Sequence, residues 1–193
     1  QQANMAARAA AFKAVVDALK ARGKTTTVVE STAGGLISSS IMAVEGSSAV
    51  YQGGSVAYNT RKCKPVLLND AALHASLLNA SAADADSYKA SKRDWTAKTA
   101  VAYCEAMGTD YAVAEGGAAG PTIRPKGLDW GVSAIAVAAR SHSFTSSFCT
   151  LGLIFSHTCS WYLFTHAISS SDMMLKSINL VWIGIYVKHS KLK

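Results

Sequence analysis

A serine and two adjacent glycines, placed between a strand-like run and a helix-like run, form the pattern with the clearest chemical meaning in this chain. The segment 28–40 reads VVESTAGGLISSS, so that Ser31 directly follows an apolar strand pattern and Gly34 and Gly35 precede an apolar helix pattern. Open α/β sheets bind ligands beyond the carboxyl ends of their strands. The N–H groups of Gly34 and Gly35, at a helix N-terminus, can hold a phosphate or a developing oxyanion. The alternative interpretation is that Ser31 or Thr32 only caps the helix.

Three further clusters of small or polar residues lie next to predicted strands. They are the hydroxyls of Ser47 and Ser48 after Gly46, Tyr58 followed by Lys62 and Lys64, and the glycine-rich run 116–121. Because strand ends of one sheet meet at a common edge, we expect these clusters and the Ser31 turn to form one convergent polar pocket. The alternative for the two lysines is a solvated helix face.

The elements that must position these residues are helices interleaved with strands. Apolar residues at helical spacing and β-branched runs bounded by glycine provide the assignments. A glycine bulge is expected at Gly53–Gly54, and Pro65 fits a first helical turn. The order predicts a layered α/β domain with helices on both faces of a sheet. The predicted helices are 6–21, 35–44 and 84–107, with short helices in 61–78, and the predicted strands are 25–30, 49–58, 109–117 and 130–139.

Composition restricts the class of protein further. The 193 residues suit one domain with or without an appended segment, and the net charge is +7. Lys and Arg are scattered with no run of five, which favours phosphorylated small molecules over nucleic acid as ligands. The four cysteines form no CxxC pair, which argues against a zinc site or disulfide framework and indicates a reducing compartment. Gln1 in place of Met indicates a processed product or truncated gene model, and no secretory signal is visible.

The composition changes abruptly after residue 140. Residues 141–171 contain no Lys, Arg, Asp or Glu, and the segment 148–168 has the length of a membrane span but carries two histidines and several hydroxyls. A membrane anchor, a packed extension, and translated sequence foreign to the fold, such as an unspliced intron, are the three interpretations. We favour the third because the pattern fits neither a clean helix nor a clean strand. The domain is therefore placed at 1–140, and 141–193 is treated as an atypical hydrophobic tail.

The motifs named above jointly resemble those of the CinA C-terminal domain family. The family's ESCTGG corresponds to residues 30–35, its PGSSAVF to 45–51, its GxVxYSN strand end to 54–60 and its TGIAGP to 116–121. All four occur in the family's order at compatible spacings. The resemblance covers about residues 5–139.

The resemblance implies a three-layer α/β/α sandwich with a mostly parallel or mixed central sheet. Characterised bacterial members hydrolyse nicotinamide mononucleotide to nicotinate mononucleotide and ammonia, so the implied substrate is a pyridine mononucleotide, without metal, cofactor or nucleic acid. Either serine can be the nucleophile, and Ser31 is preferred because its turn resembles a nucleophile elbow. The implied catalytic residues are Ser31, Ser48, Tyr58 and Lys64, and the implied substrate-binding residues are Gly34, Gly35, Ser47, Lys62, Gly117 and Gly120.

Departures from the family's motifs keep a second interpretation open. The family's lysine position, five residues after the tyrosine, is Cys63, and alignment on the following leucines favours Lys64 over Lys62 as the base. The family's threonine is Gly116, which removes one polar group. The alternative is a catalytically inactive CinA-like binding or complex-associated protein. The expected location is the cytoplasm or an organelle stroma or matrix, with membrane association through 148–168 as the alternative, and the oligomeric state, including a homo-oligomer, stays open.

Overall fold

Helices and strands alternate along the chain in the order that the sequence predicts. The computed structural model describes residues 2–68, 84–118, 132–140, 148–155 and 162–165. The elements are α1 (Gln2–Ala21), β1 (Thr26–Glu30), α2 (Leu36–Met42), a 3₁₀ turn (Ser47–Ala49), β2 (Tyr51–Val56), α3 (Thr60–Leu68), α4 (Ala85–Met107), β3 (Tyr111–Ala118), β4 (Val132–Arg140), β5 (Phe148–Phe155) and β6 (Tyr162–Thr165).

The strands form one mixed sheet in the order β2-β1-β3-β4-β5-β6. β1 is parallel to both β2 and β3, whereas β4, β5 and β6 each run antiparallel to the preceding strand. The register of β1 and β2 shifts between Thr26 and Val28, and Gly53 has a φ of 123°, which confirms the predicted glycine bulge. The sheet continues through β5 and β6 beyond residue 140, where the sequence analysis placed its domain boundary.

One face of the sheet is covered by α1 and α2. Phe12, Val15, Val16 and Leu19 of α1 are buried at helical spacing, as predicted. They pack with the large side chains that alternate along the strands, because successive strand residues point to opposite faces. The buried partners from the strands and α2 are Val28, Tyr111, Val113, Ile135, Val137, Ile37 and Ile41.

The opposite face of the sheet is lined mainly by alanines and carries α4. Ala112 and Ala114 of β3 alternate with the large residues of the first face and are buried together with Ala100 and Cys104 of α4. Methyl side chains on the strands let the helix lie close to the sheet at native packing density. Helices therefore cover both faces, which confirms the three-layer α/β/α sandwich.

Two local predictions are wrong. Pro65 lies in the interior of α3 rather than in its first turn, because the helix already begins at Thr60, where the Asn59 side chain accepts the N–H of Lys62 at 3.2 Å. Gly116 and Gly117 belong to β3 and pair with β4, so the strand does not end in a glycine turn at these two residues.

A membrane anchor is one of the three interpretations of the tail segment. Its described parts, 148–155 and 162–165, are the strands β5 and β6. Among the helices within the described ranges, none has both the length and the apolar character that a membrane crossing requires.

Candidate functional site

The Ser31 turn leaves the carboxyl end of β1 and leads directly into α2. All five residues of β1 are buried, and Ser31 itself is 7% exposed. Gly34 and Gly35 have φ values of 63° and 95°, in the left-handed region that favours glycine. These two glycines let the chain reverse within a few residues and begin α2, as the sequence predicts.

The buried carboxylate of Glu30 fixes the start of α2. Its oxygens accept the backbone N–H groups of Gly35 at 3.0 Å, Ile37 at 2.9 Å and Ser38 at 2.8 Å, and also the Ser38 hydroxyl at 2.6 Å. Glu30 is fully buried. An acidic side chain at this position satisfies N–H groups that a helix N-terminus otherwise leaves without acceptors.

A second buried carboxylate, Glu115 on β3, fixes the turn itself. It accepts the backbone N–H groups of Ser31 at 3.0 Å and Ala33 at 2.9 Å, and the hydroxyl of Ser133 at 2.7 Å. The hydroxyl of Thr32 also donates to it. Glu115 is 0% exposed, so this carboxylate stabilises the Ser31 turn from below without contacting solvent.

The two carboxylates change the interpretation of the glycine amides. The Gly34 N–H donates to the Ser31 carbonyl at 3.3 Å, and the Gly35 N–H donates to Glu30. The prediction that these two N–H groups hold a phosphate or oxyanion is wrong, because internal acceptors already occupy them. Glu30 and Glu115 also disfavour an anion in direct contact with these amides, because their carboxylates already lie against the backbone of the turn.

Tyr58 lies at the same edge of the sheet as Ser31. The N–H of Ala57, directly after β2, donates to the carbonyl of Glu30 at 2.7 Å, which sets the two chain segments side by side. Tyr58 is 76% exposed, and Lys62 is exposed on the first turn of α3. Lys64 is on α3, but its side chain lies outside the described part.

Ser47 and Ser48 lie at the opposite edge of the sheet. They form the 3₁₀ turn before β2, and the Val50 carbonyl accepts the N–H of Thr26 at the start of β1. Because β1 and β2 are parallel and rise about 3.3 Å per residue, a strand length on the order of 15 Å separates this turn from Ser31. The expectation that these two serines share a pocket with Ser31 is therefore wrong within a single chain.

Two glycines of the run 116–121, Gly117 and Gly120, are predicted to bind substrate. Gly117 pairs with Ser133 inside the sheet, and Gly120 lies outside the described residues. A Cβ at Gly116 would lie 3.2 Å from Cζ3 of Trp95 and 3.4 Å from the Thr96 hydroxyl. The space that a threonine would need at Gly116 is therefore restricted by α4.

Gly54, the first residue of the motif resembling the family's GxVxYSN, supports the site from the side of β2. A Cβ there would lie 2.5 Å from both the Tyr51 hydroxyl and the Val28 carbonyl, and 3.1 Å from the Ser38 hydroxyl. The Ser38 hydroxyl is the group that donates to Glu30. Gly54 thus leaves room for the polar side chains that hold the start of α2.

Sequence reasoning missed Lys92, a partly buried lysine on α4. Its Nζ lies 5.1 Å from the centroid of the Tyr88 ring, one helical turn earlier. Burial lowers the pKa of Lys92, and the Glu115 carboxylate partly opposes this shift. No signal in the sequence singles out Lys92, because α4 carries several lysines and only the fold shows which one faces the sheet edge.

Known proteins resemble this chain in sequence and in fold. The model of the CinA C-terminal domain matches residues 8–152. A CinA-like protein of Prochlorococcus marinus strain MIT 9215 is 30% identical over 132 residues, which cover 68% of this chain and 28% of that relative. The nicotinamide-nucleotide amidohydrolase PncC of Enterobacter agglomerans is 35% identical over 117 residues, covering 58% of this chain and 65% of that protein.

Solved structures show the same fold. The CinA superfamily protein KP700603 of Klebsiella pneumoniae 700603 superposes with a TM-score of 0.60 at 19% identity, covering 94% of this chain and 96% of that one. The chain spans about a quarter of the length of the CinA-like relatives it matches, with 28%, 24% and 22% of three of them covered.

Proposed function

Because the chain belongs to the CinA C-terminal domain family, we propose that it is an amidohydrolase that converts nicotinamide mononucleotide to nicotinate mononucleotide and ammonia. The observation that carries the proposal is the Ser31 turn, whose backbone is held by a buried carboxylate at the carboxyl edge of the sheet. The name of the Enterobacter agglomerans relative supports the same activity.

In the proposed mechanism, Ser31 is the nucleophile. Its hydroxyl oxygen attacks the amide carbon while its proton passes to a base, and the amide nitrogen leaves as ammonia with that proton. Water then cleaves the acyl ester, which releases the carboxylate product and restores the serine. The Ser31 hydroxyl makes no hydrogen bond to a described residue, so it is available for this role, whereas its N–H is fixed by Glu115.

Lys64 is the proposed base, and Tyr58 and Lys62 are proposed to contact substrate. Tyr58 lies at the edge of the sheet that carries Ser31, and Lys62 follows it on α3. A lysine can accept a proton near neutral pH only where burial or a neighbouring cation favours its neutral form. Lys62 is exposed, which suits contact with an anionic substrate group better than proton abstraction. Ser48 has no role here, because it lies at the opposite edge.

The second candidate function is a catalytically inactive binding protein of the same fold. One observation favours it: Gly116 provides no hydroxyl next to the Ser31 turn, and Trp95 restricts the space there. Such a protein would bind the mononucleotide through the same edge and release no ammonia.

Ammonia release from nicotinamide mononucleotide by the purified full chain tests the proposal. We expect Ser31→Ala to lower kcat by about a thousandfold or more, as loss of a catalytic nucleophile does. Ser39→Ala is the matched control, because the hydroxyl of this exposed serine on α2 donates only to the Leu36 carbonyl.

The outcomes separate the two candidate functions and the two hydroxyls of the turn. Release by the unmodified chain no greater than that of a protein-free sample contradicts the enzyme, and calorimetric binding of nicotinate mononucleotide would then support the inactive binding protein. Loss of activity in Thr32→Val with retention in Ser31→Ala would move the nucleophile to Thr32, the hydroxyl that donates to Glu115.

A further inference from the structure

The ammonium group of Lys92 is a cation without a hydrogen-bond acceptor among the residues that the structure describes. It is partly buried and lies over the Tyr88 ring, with Nζ 5.1 Å from the ring centroid. Two other lysines of α4 have acidic partners. Lys98 is bound to Asp94 at 2.8 Å, and Lys89 lies 3.7 Å from Asp86.

Lys92 lies at the edge of the sheet that carries the Ser31 turn. A short connection joins the end of α4 to the start of β3, so the helix runs antiparallel to that strand and its first half lies at the strand's carboxyl end. Thr96 is beside Gly116, and its hydroxyl donates to the carbonyl of Lys92 at 2.6 Å. One helical turn, about 5.4 Å, therefore places Lys92 beyond Gly116 at the edge.

The charges at this edge are incompletely matched. The Glu115 carboxylate is close enough to influence the pKa of Lys92, yet no lysine or arginine within the described ranges lies within 4.0 Å of it. Removing an ammonium from water without supplying acceptors costs free energy. An anionic group that enters from solvent would supply those acceptors through charge-assisted hydrogen bonds.

We propose that Lys92 binds the anionic group of the ligand at the Ser31 turn, the phosphate of a mononucleotide, and so makes the site selective for phosphorylated amides. The identity of the amide rests on the proposed function, whereas the binding of the anion does not. Lys92 binds the phosphate in place of Gly34 and Gly35, because the N–H groups of these glycines already donate to acceptors inside the chain.

Two substrates that differ only in the phosphate test the selectivity. With the full chain, we expect Lys92→Met to raise KM for nicotinamide mononucleotide ten- to hundredfold, the effect of losing one charge-assisted contact. KM for nicotinamide riboside, which carries the same amide and no phosphate, should not change. Lys92→Arg should retain most of the phosphate preference, and Lys98→Met is the control on the same helix. An equal loss with both substrates in Lys92→Met would overturn the proposal.

A second measurement does not depend on catalysis. Inorganic phosphate is titrated calorimetrically into the unmodified chain and the Lys92→Met and Lys98→Met variants, and Lys92 is modified with trinitrobenzenesulfonate with and without phosphate. We expect weaker phosphate binding in Lys92→Met alone, and protection of Lys92 by phosphate. Equal phosphate binding in all three proteins, or modification of Lys92 at the same rate with phosphate present, would contradict the proposal even in a chain that releases no ammonia.

Discussion

Two acidic residues hold the two ends of β1, one directly before the neighbouring strand β3 and the other within it. Asp110, directly before β3, accepts the N–H of Thr25 at 2.9 Å and its hydroxyl at 3.1 Å. Glu115, five residues further along, accepts the N–H groups of Ser31 and Ala33 beyond the other end of β1. The two carboxylates therefore make the same kind of contact at opposite edges of the sheet.

The difference between the two acids lies in their cations. Asp110 binds the ammonium of Lys24 at 2.8 Å, so its charge is neutralised by direct contact. Glu115 influences Lys92 without an ion pair among the described residues. A complete pair at one edge suits a structural connection, whereas the incomplete pair at the other edge leaves the ammonium of Lys92 available to a ligand. This comparison separates a structural site from a candidate functional site within one pair of strands.

Glu115→Gln should have the largest effect on stability. The amide keeps the size of the side chain but replaces an acceptor oxygen by an NH₂ group that faces backbone N–H donors. We expect the free energy of unfolding to fall by about 3 kcal/mol, the cost of leaving buried partners of a charge unsatisfied. Urea unfolding measures it, with Glu105→Gln, an exposed substitution on α4, as the control. Equal urea midpoints for Glu115→Gln and Glu105→Gln would show that Glu115 does not stabilise this edge of the sheet.

Asp110→Asn should have a smaller effect that depends on pH. Burial alone would raise the pKa of Asp110, but hydrogen bonds from Lys24 and Thr25 outweigh burial and lower it. A carboxylate whose folded pKa is lowered stabilises the fold above its unfolded pKa of about 3.9, and this stability is lost as the pH falls through the folded pKa. We expect a loss of about 2 kcal/mol at pH 7.

The pH dependence of unfolding provides the check on Asp110. The difference in unfolding free energy between Asp110→Asn and the unmodified chain should shrink steadily as the pH falls below 4. A difference that stays constant down to pH 3 would show that Asp110 acts through packing and not through its charge.

Substitution of the two lysines by methionine should have the smallest effects on stability, with a loss at Lys24 and none at Lys92. Lys24→Met removes the direct partner of Asp110 and should lower the unfolding free energy by about 1 kcal/mol. Lys92→Met removes a cation that burial disfavours, so stability should stay within about 0.5 kcal/mol or rise. Thermal unfolding of both variants at neutral pH measures the contrast, and an equal loss in both would remove the distinction between the two edges.

Local sequence signals predict much of the fold. β-branched residues predict β1, apolar spacing predicts the buried face of α1, and the glycine pair at 53–54 predicts the bulge. Gly23 and Gly108, which follow the ends of α1 and α4, have φ values of 59° and 66°, the left-handed conformation that makes glycine a common residue after a helix. These features depend on residues close together in the chain, and so the pattern contains the information they need.

The candidate site could be predicted only in part, because its contacts join distant residues. The hydrogen bond from the Ser31 N–H to Glu115 joins residues 84 positions apart. The sequence around either residue does not indicate that the two are in contact. The grouping of Ser48 with Ser31 failed for a related reason. Motif order gives the succession of turns, but only strand direction decides which edge of the sheet each turn occupies.

The pairing of β1 with β3 has a consequence for how the protein reaches its active form. Thr26 pairs with Tyr111, a residue 85 positions later in the chain, whereas β3 pairs with β4 and β5 with β6, which are neighbours in the sequence. Closing the longer loop costs more chain entropy, and such non-local contacts slow folding. A partly folded chain in which only the antiparallel hairpins have formed would still lack the Ser31–Glu115 contact. Ligand binding would therefore favour the completed fold over every earlier intermediate.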